Sequence, residues 1–206
     1  MPRITKISQQ NNKNRVNLFL DGKFAFALDL ENFVKLGLKV GLELNEVEVQ
    51  KITSEGEFSQ VFQKLLNFAT LRPRSYKEVS DWLKRKKVRE SFQKKLINKL
   101  KKLDLLDDAR FARWWVEERR EFRPRSKKAL YSELFKKGID KNIIKQTLEE
   151  TGIDEISLAK RDLEKRKTKW TKYTDIYERK QKQMEYLARK GYGWDVIKKV
   201  VENKKS

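Results

Sequence analysis

One short string, present twice, constrains the architecture more than any other feature of this sequence. Arg72-Pro73-Arg74-Ser75 recurs as Arg123-Pro124-Arg125-Ser126, 51 residues later. Apolar positions keep the same interval: Val79 with Leu130, Leu83 with Leu134, Val88 with Ile139, Ile97 with Leu148. Upstream, Val61-Phe62 and Leu65-Leu66 match Phe111-Ala112 and Trp115-Val116 at an offset of 50. A fainter third copy sets Leu187, Gly191, Tyr192, Ile197 and Val201 at 53 residues beyond Leu134, Gly138, Ile139, Ile144 and Leu148. It lacks Arg-Pro-Arg-Ser and carries Trp170-Thr171-Lys172-Tyr173 in that region. Repetition at this period means stacked supersecondary units, each too small to bury a core alone.

Each copy reads as three helices. In the second, Asp107-Asp108 caps helix one and Pro124 marks its end. Ser126 opens helix two, and in the first copy Ser75 with Glu78 has capping-box spacing. Gly138 supplies a left-handed C-cap and Asp140 caps helix three. The first copy has Lys87 where the others have Gly, at a cost of about 1 kcal/mol if the same turn is kept.

The start of the chain has a different period. Ile4, Ile7, Val16, Leu18, Leu20, Phe24, Phe26 and Leu28 recur at two-residue spacing within their segments, the strand period. Asp21-Gly22 between two such runs predicts a hairpin, and Asn11-Asn12-Lys13-Asn14 predicts a second turn. A short helix is expected over 29–36, stopped at Gly37. A brief extended piece follows at 40–44, then a helix capped by Asn45 that ends at Thr53. The expected fold is mainly α: three tandem three-helix repeats in an elongated, curved array, over 57–106, 107–152 and 153–206. A small antiparallel β-hairpin or β-sheet unit with short helices, residues 1–56, precedes them as a docking or spacer module.

Charge is distributed unevenly. The net charge is +20, of which residues 57–206 hold +19. No single block dominates, which argues against a disordered basic tail. A polyanion, or a protein assembled on one, is the natural partner. There is no Cys and no His. That removes disulfides, thiolate nucleophiles, imidazole bases and Zn sites built from either residue. No stretch approaches the roughly 18 apolar residues of a membrane span, and Met1-Pro2-Arg3-Ile4 lacks the apolar run of a signal peptide. A cytoplasmic protein with no membrane association is expected. Glu117-Glu118 and Asp107-Asp108 are assigned to capping and to ion pairs with Arg110, Arg113 or Arg120, because adjacent acids on a helix point apart. No Gly-rich phosphate loop is present. The chain is therefore read as a non-enzyme with no cofactor and no metal.

The run Asp107-Asp108-Ala109-Arg110-Phe111-Ala112, with Glu133-Leu134-Phe135-Lys136-Lys137-Gly138-Ile139 after it, resembles the central repeat of the RecX family of recombinase regulators. Leu187-Ala188-Arg189-Lys190-Gly191-Tyr192 with Val196-Ile197 is similar to that family's third repeat, and the β extension to that of its longer members. The resemblance spans essentially residues 1–203. One feature departs: before helix two of the central repeat the family usually has Gly, where this chain has Arg-Pro-Arg-Ser. The resemblance implies a partner, the RecA recombinase filament on single-stranded DNA. It also implies a role: binding in the filament groove and restraint of ATP hydrolysis, strand exchange and filament growth. Such a protein acts in homologous recombination, DNA repair and the SOS response, and a monomer is expected. The competing reading is a general binder of single- or double-stranded DNA, acting through its basic helices without RecA.

The candidate contacts with RecA or DNA are all cations. Arg72, Arg74, Arg123 and Arg125 flank the two prolines, where they either grip anions or are simply solvated; both readings stand, since a helix start prefers acids. Lys127 and Lys128 follow Ser126. Lys84, Arg85, Lys86 and Lys87 end helix two of the first copy. Lys136-Lys137 and the candidates Arg189 and Lys190 do so in the others. Cations suit a helix C-terminus, which explains two charges and not four, so 84–87 is assigned to a contact surface. Arg113 and Arg120 surround Trp114, which either stacks on a partner or packs between repeats. Trp115 and Phe111 belong to the core, and Trp170 and Tyr173 share the ambiguity of Trp114.

Overall fold

The computed structural model describes residues 1–11 and 14–202. Of the turn expected at 11–14, Asn12 and Lys13 lie outside the described residues. Strands β1 (Ile4–Gln9), β2 (Arg15–Leu20) and β3 (Lys23–Asp29) form one antiparallel sheet in that order. Alternation sends Ile4, Val16, Leu18, Phe26 and Leu28 to a single buried face. Asp21 and Gly22, at φ 47° and 80°, make the two-residue hairpin turn between paired Leu20 and Lys23. Helix α1 (Leu30–Lys35) starts on Asp29, whose carboxylate accepts the Asn32 N–H at 2.8 Å.

Helix α2 (Glu46–Thr70) opens with a full capping box between Asn45 and Glu48. It does not end at Thr53. It runs unbroken to Thr70, through the 56/57 boundary drawn from the sequence. Gly56 accounts for this. A Cβ there would stand 2.5 Å from the Ala27 carbonyl oxygen and 3.2 Å from Leu28. The absent side chain lets α2 lie against β3. That packing outweighs the roughly 1 kcal/mol a helical glycine costs.

The chain divides into two compact units. The first joins Met1–Arg72 to Leu83–Leu103, so the sheet and α2 share it with helix α4 (Glu90–Lys102). There Phe58 of α2 meets Phe92 of α4 edge to face at 5.4 Å, and Glu57 pairs with Arg89. The second holds Pro73–Trp82, most of helix α3 (Tyr76–Arg85), and the chain from Asp104. Its further helices are α5 (Asp108–Phe122), α6 (Lys127–Lys136), α7 (Lys141–Glu150), α8 (Glu155–Glu164), α9 (Lys167–Trp170), α10 (Ile176–Arg189) and α11 (Trp194–Glu202). Phe111, Val116, Leu130, Leu134, Ile144 and Leu148 form one core among α5, α6 and α7. Leu163, Leu187, Tyr192, Ile197 and Val201 form another among α8, α10 and α11. The short helix α9 has no counterpart in the other copies.

The same turn ends helix two in all three copies. The N–H of Val88, Ile139 and Tyr192 reaches back to the carbonyl of Leu83, Leu134 and Leu187 at 3.1, 3.2 and 3.2 Å. The residue before each has positive φ: Lys87 at 51°, Gly138 at 80°, Gly191 at 87°. Lys87 therefore occupies the left-handed region with a side chain. Lys87→Gly is expected to stabilise the protein by about 1 kcal/mol, seen as a higher urea midpoint at unchanged slope. A lower midpoint would show that the lysine side chain contributes more than its backbone strain costs.

Candidate partner-binding surface

The repeated Arg-Pro-Arg-Ser is first of all a joint. Ser126 caps α6 by accepting the Ala129 N–H at 3.3 Å, and its hydroxyl donates to the Lys190 carbonyl at the end of α10, 2.9 Å away. Ser75 does the same one repeat earlier, accepting the Glu78 N–H at 3.1 Å and donating to the Lys137 carbonyl at 2.8 Å. Both serines are buried. Beside each, an acid from the following repeat accepts the next backbone N–H. Asp108 takes that of Tyr76 at 2.8 Å and Glu155 that of Lys127 at 2.9 Å. At each of these helix starts one orphan donor is thus satisfied locally by the serine and one from across the repeat boundary. The turn glycine of the following repeat closes the joint. A Cβ on Gly138 would stand 2.7 Å from that of Lys77, and one on Gly191 2.8 Å from Ser126 Oγ.

This corrects the reading of Ser75 and Ser126 as local caps alone. It also gives the two copies of Arg-Pro-Arg-Ser a shared role: each lies where the following repeat meets the start of helix two. The signal was present in the sequence. The motif occurs in the two repeats whose helix two is met by the next repeat, and glycine occupies the two turns that press on the repeat before.

The candidate cations separate into held and exposed ones. Arg72 and Arg74 are half-buried and interact within the protein. Arg125 lies 3.8 Å from Glu133, which also accepts from Arg119 at 2.7 Å and from the Trp115 indole at 2.9 Å. Lys190 pairs with Asp162 at 3.8 Å, and Asp162 accepts the Tyr192 hydroxyl at 2.8 Å. Burial, then that bond to Asp162, pushes the Tyr192 phenol above its ordinary pKa. Lys137 is likewise tied to Glu78 at 2.7 Å. Arg120 pairs with Glu117 at 2.6 Å, a solvent-screened contact worth little. Lys127 is half-buried beside the joint, and Arg113, Arg123, Lys128 and Arg189 are exposed.

Residues 84–87 stand apart. Lys84, Arg85, Lys86 and Lys87 are all exposed and carry no ion pair among the described residues. They crowd the end of α3 and the turn after it, where the carbonyl end of the helix accommodates the first charges.

The aromatics are mostly internal. Trp114 is half-buried, its ring 5.8 Å from Phe111 and 6.0 Å from Trp115. Trp115 is only partly buried, with the Arg119 guanidinium 4.2 Å and the Lys137 ammonium 4.9 Å from its ring centre. Trp170 packs on Tyr186 at 5.6 Å and donates its indole N–H to the Leu163 carbonyl at 2.9 Å. Among the described residues no cluster of His, Cys, Asp or Glu is arranged to hold a metal, and no helix is long and apolar enough to cross a membrane.

Comparison with known proteins accords with this architecture. Residues 2–45 match the family model of the regulatory protein RecX N-terminal domain. Residues 107–148 match that of the RecX second three-helix domain, and 153–201 that of the third. The regulatory protein RecX of Bacillus licheniformis is 39% identical over 199 residues, which is 96% of this chain and 75% of that one. That of Bacillus subtilis is 37% identical over the same shares. That of Finegoldia magna is 30% identical over 96% of this chain and 97% of its own. A crystal structure of regulatory protein RecX is alike in fold, with a TM-score of 0.80 over 98% of this chain and 100% of that one at 24% identity. The crystal structure of RecX from Lactobacillus salivarius gives 0.64 over 71% and 95%, at 26% identity.

Proposed function

Since the chain belongs to the RecX family of regulatory proteins, we propose that it binds RecA as a filament on single-stranded DNA and restrains ATP hydrolysis, strand exchange and filament growth. It acts without a cofactor, as a monomer in the cytoplasm, and the chemistry it controls is RecA's. The observation that carries this reading is the free cationic end of α3. Lys84, Arg85, Lys86 and Lys87 exceed what a helix terminus uses, and they offer a concentrated positive surface to RecA carboxylates. Joined repeats suit a partner that is itself a repeating filament, because successive units present similar elements at a regular interval.

ATP hydrolysis by RecA on single-stranded DNA, titrated with this protein while filament length is followed, tests the proposal. Inhibition is expected well below the amount of protein needed to cover the DNA. Loss of hydrolysis only at DNA-saturating amounts, with a steep dependence on salt, would identify a basic competitor for DNA instead.

A further inference from the structure

In the first two repeats the start of helix two is enclosed by a joint; in the third it is not. At the 53-residue offset, Arg123-Pro124-Arg125-Ser126 falls on Ile176-Tyr177-Glu178-Arg179. This stretch is not a loop with a buried serine but an extra turn at the beginning of α10, which has 14 residues where α6 has 10. Tyr177 is 85% exposed and Ile176 57%, whereas Ser126 is 1% exposed. Immediately before that turn lies the segment with no counterpart in the other repeats. Residues 164–180 hold seven Lys or Arg against three Asp or Glu.

Two of those acids are engaged. Glu164 pairs with Lys167 at 3.2 Å, and Asp175 accepts the Tyr177 N–H at 2.8 Å. Arg166 lies over the Tyr186 ring at 4.5 Å. That leaves Lys165, Lys169 and Lys172 exposed, with no ion pair among the described residues. The segment is nonetheless anchored. Trp170 sits within it, bonded to the Leu163 carbonyl and packed on Tyr186 in the third-repeat core. Cations on an anchored backbone lose less freedom on binding than cations on a loose tail.

We propose that this segment is a single-stranded nucleic-acid contact, in which Lys165, Lys169 and Lys172 meet backbone phosphates and Tyr177 stacks on a base. The chemistry favours a single strand over a duplex or an acidic peptide. An aromatic ring in solvent finds a flat partner only where bases are unpaired, and ring stacking beside a cationic track is how proteins hold single strands without reading sequence. The contact does not depend on RecA.

Fluorescence anisotropy of a labelled oligothymidylate, with the full chain and no RecA, tests this across a salt series. The unaltered protein is expected to bind, with affinity falling as salt rises. Tyr177→Ala is expected to weaken binding about tenfold, and Tyr177→Phe, which keeps a ring, to leave it within about twofold. Lys169→Gln with Lys172→Gln is expected to lower the log–log salt slope by about 1.4, the value for two phosphate contacts on a single strand. All three variants change exposed side chains, so helicity and melting temperature should stay as they were. Absent binding at low salt would overturn the proposal, as would Tyr177→Ala and the double variant both binding like the parent. Unchanged DNA affinity combined with lost RecA inhibition would also overturn it, by making the segment a protein-binding surface.

Discussion

Gly191→Ala is expected to lower the melting temperature by about 10 °C. Gly191 combines two demands that usually fall on different residues. Its φ of 87° costs a side chain about 1–2 kcal/mol. The added Cβ would also come within 2.8 Å of Ser126 Oγ, inside a buried joint. That hydroxyl holds both the Lys190 carbonyl and the Ala129 N–H. Pushing it aside leaves buried polar groups unsatisfied, at about 1–3 kcal/mol. The combined loss of about 3 kcal/mol corresponds to roughly 10 °C for a chain of this size.

Gly152 supplies the control. Its φ is 54°, yet a Cβ there would meet nothing within 4 Å, so Gly152→Ala bears the backbone cost alone. A thermal scan of both variants separates the terms. Equal losses would mean that the joint yields freely and contributes little. Ser126→Ala combined with Gly191→Ala should be less destabilising than the sum of the singles, because the clash and the displaced hydroxyl are the same contact.

Changing Lys84, Arg85, Lys86 and Lys87 together to Glu is expected to raise the concentration for half-inhibition of RecA ATPase at least tenfold. The exchange reverses a compact positive patch that the proposed function sets against RecA carboxylates, and like-charge juxtaposition at an interface costs several kcal/mol. The fold should persist, since all four side chains are exposed. Lys87→Glu adds no new backbone strain, because the lysine already occupies the left-handed turn at φ 51°. Circular dichroism reports the fold, and the ATPase titration reports the surface. Full inhibition by a properly folded variant would remove residues 84–87 from the proposed interface and leave the weight on the exposed Arg113, Arg123, Lys128 and Arg189.

Much of the local structure could be read directly. Asn45, Asp107, Ser126 and Asp140 cap helices as their positions imply, because a cap bonds N–H groups only two or three residues away. The Asp21-Gly22 hairpin depends on the same short range. The length of α2 could not be read this way. Gly56 looks like a place for a helix to stop, and only β3 against it makes the glycine a contact. Charge shows the same division. Counting along the chain finds cations but not their partners, and it is Glu133, Glu78 and Asp162, brought in by the fold, that hold Arg125, Lys137 and Lys190.

The sequence by itself determined the repeats, their helices, the strand period at the start and the left-handed turn at Gly138 and Gly191, because each follows from the preferences of residues close along the chain. Only the tertiary structure decided why the copies differ. Ser75 and the Lys137 carbonyl are 62 positions apart, Ser126 and that of Lys190 64. A joint of that span leaves glycine in the turns that press on a preceding repeat and allows lysine in the one that does not. Close approach between distant backbones sets those choices, and no local preference encodes it.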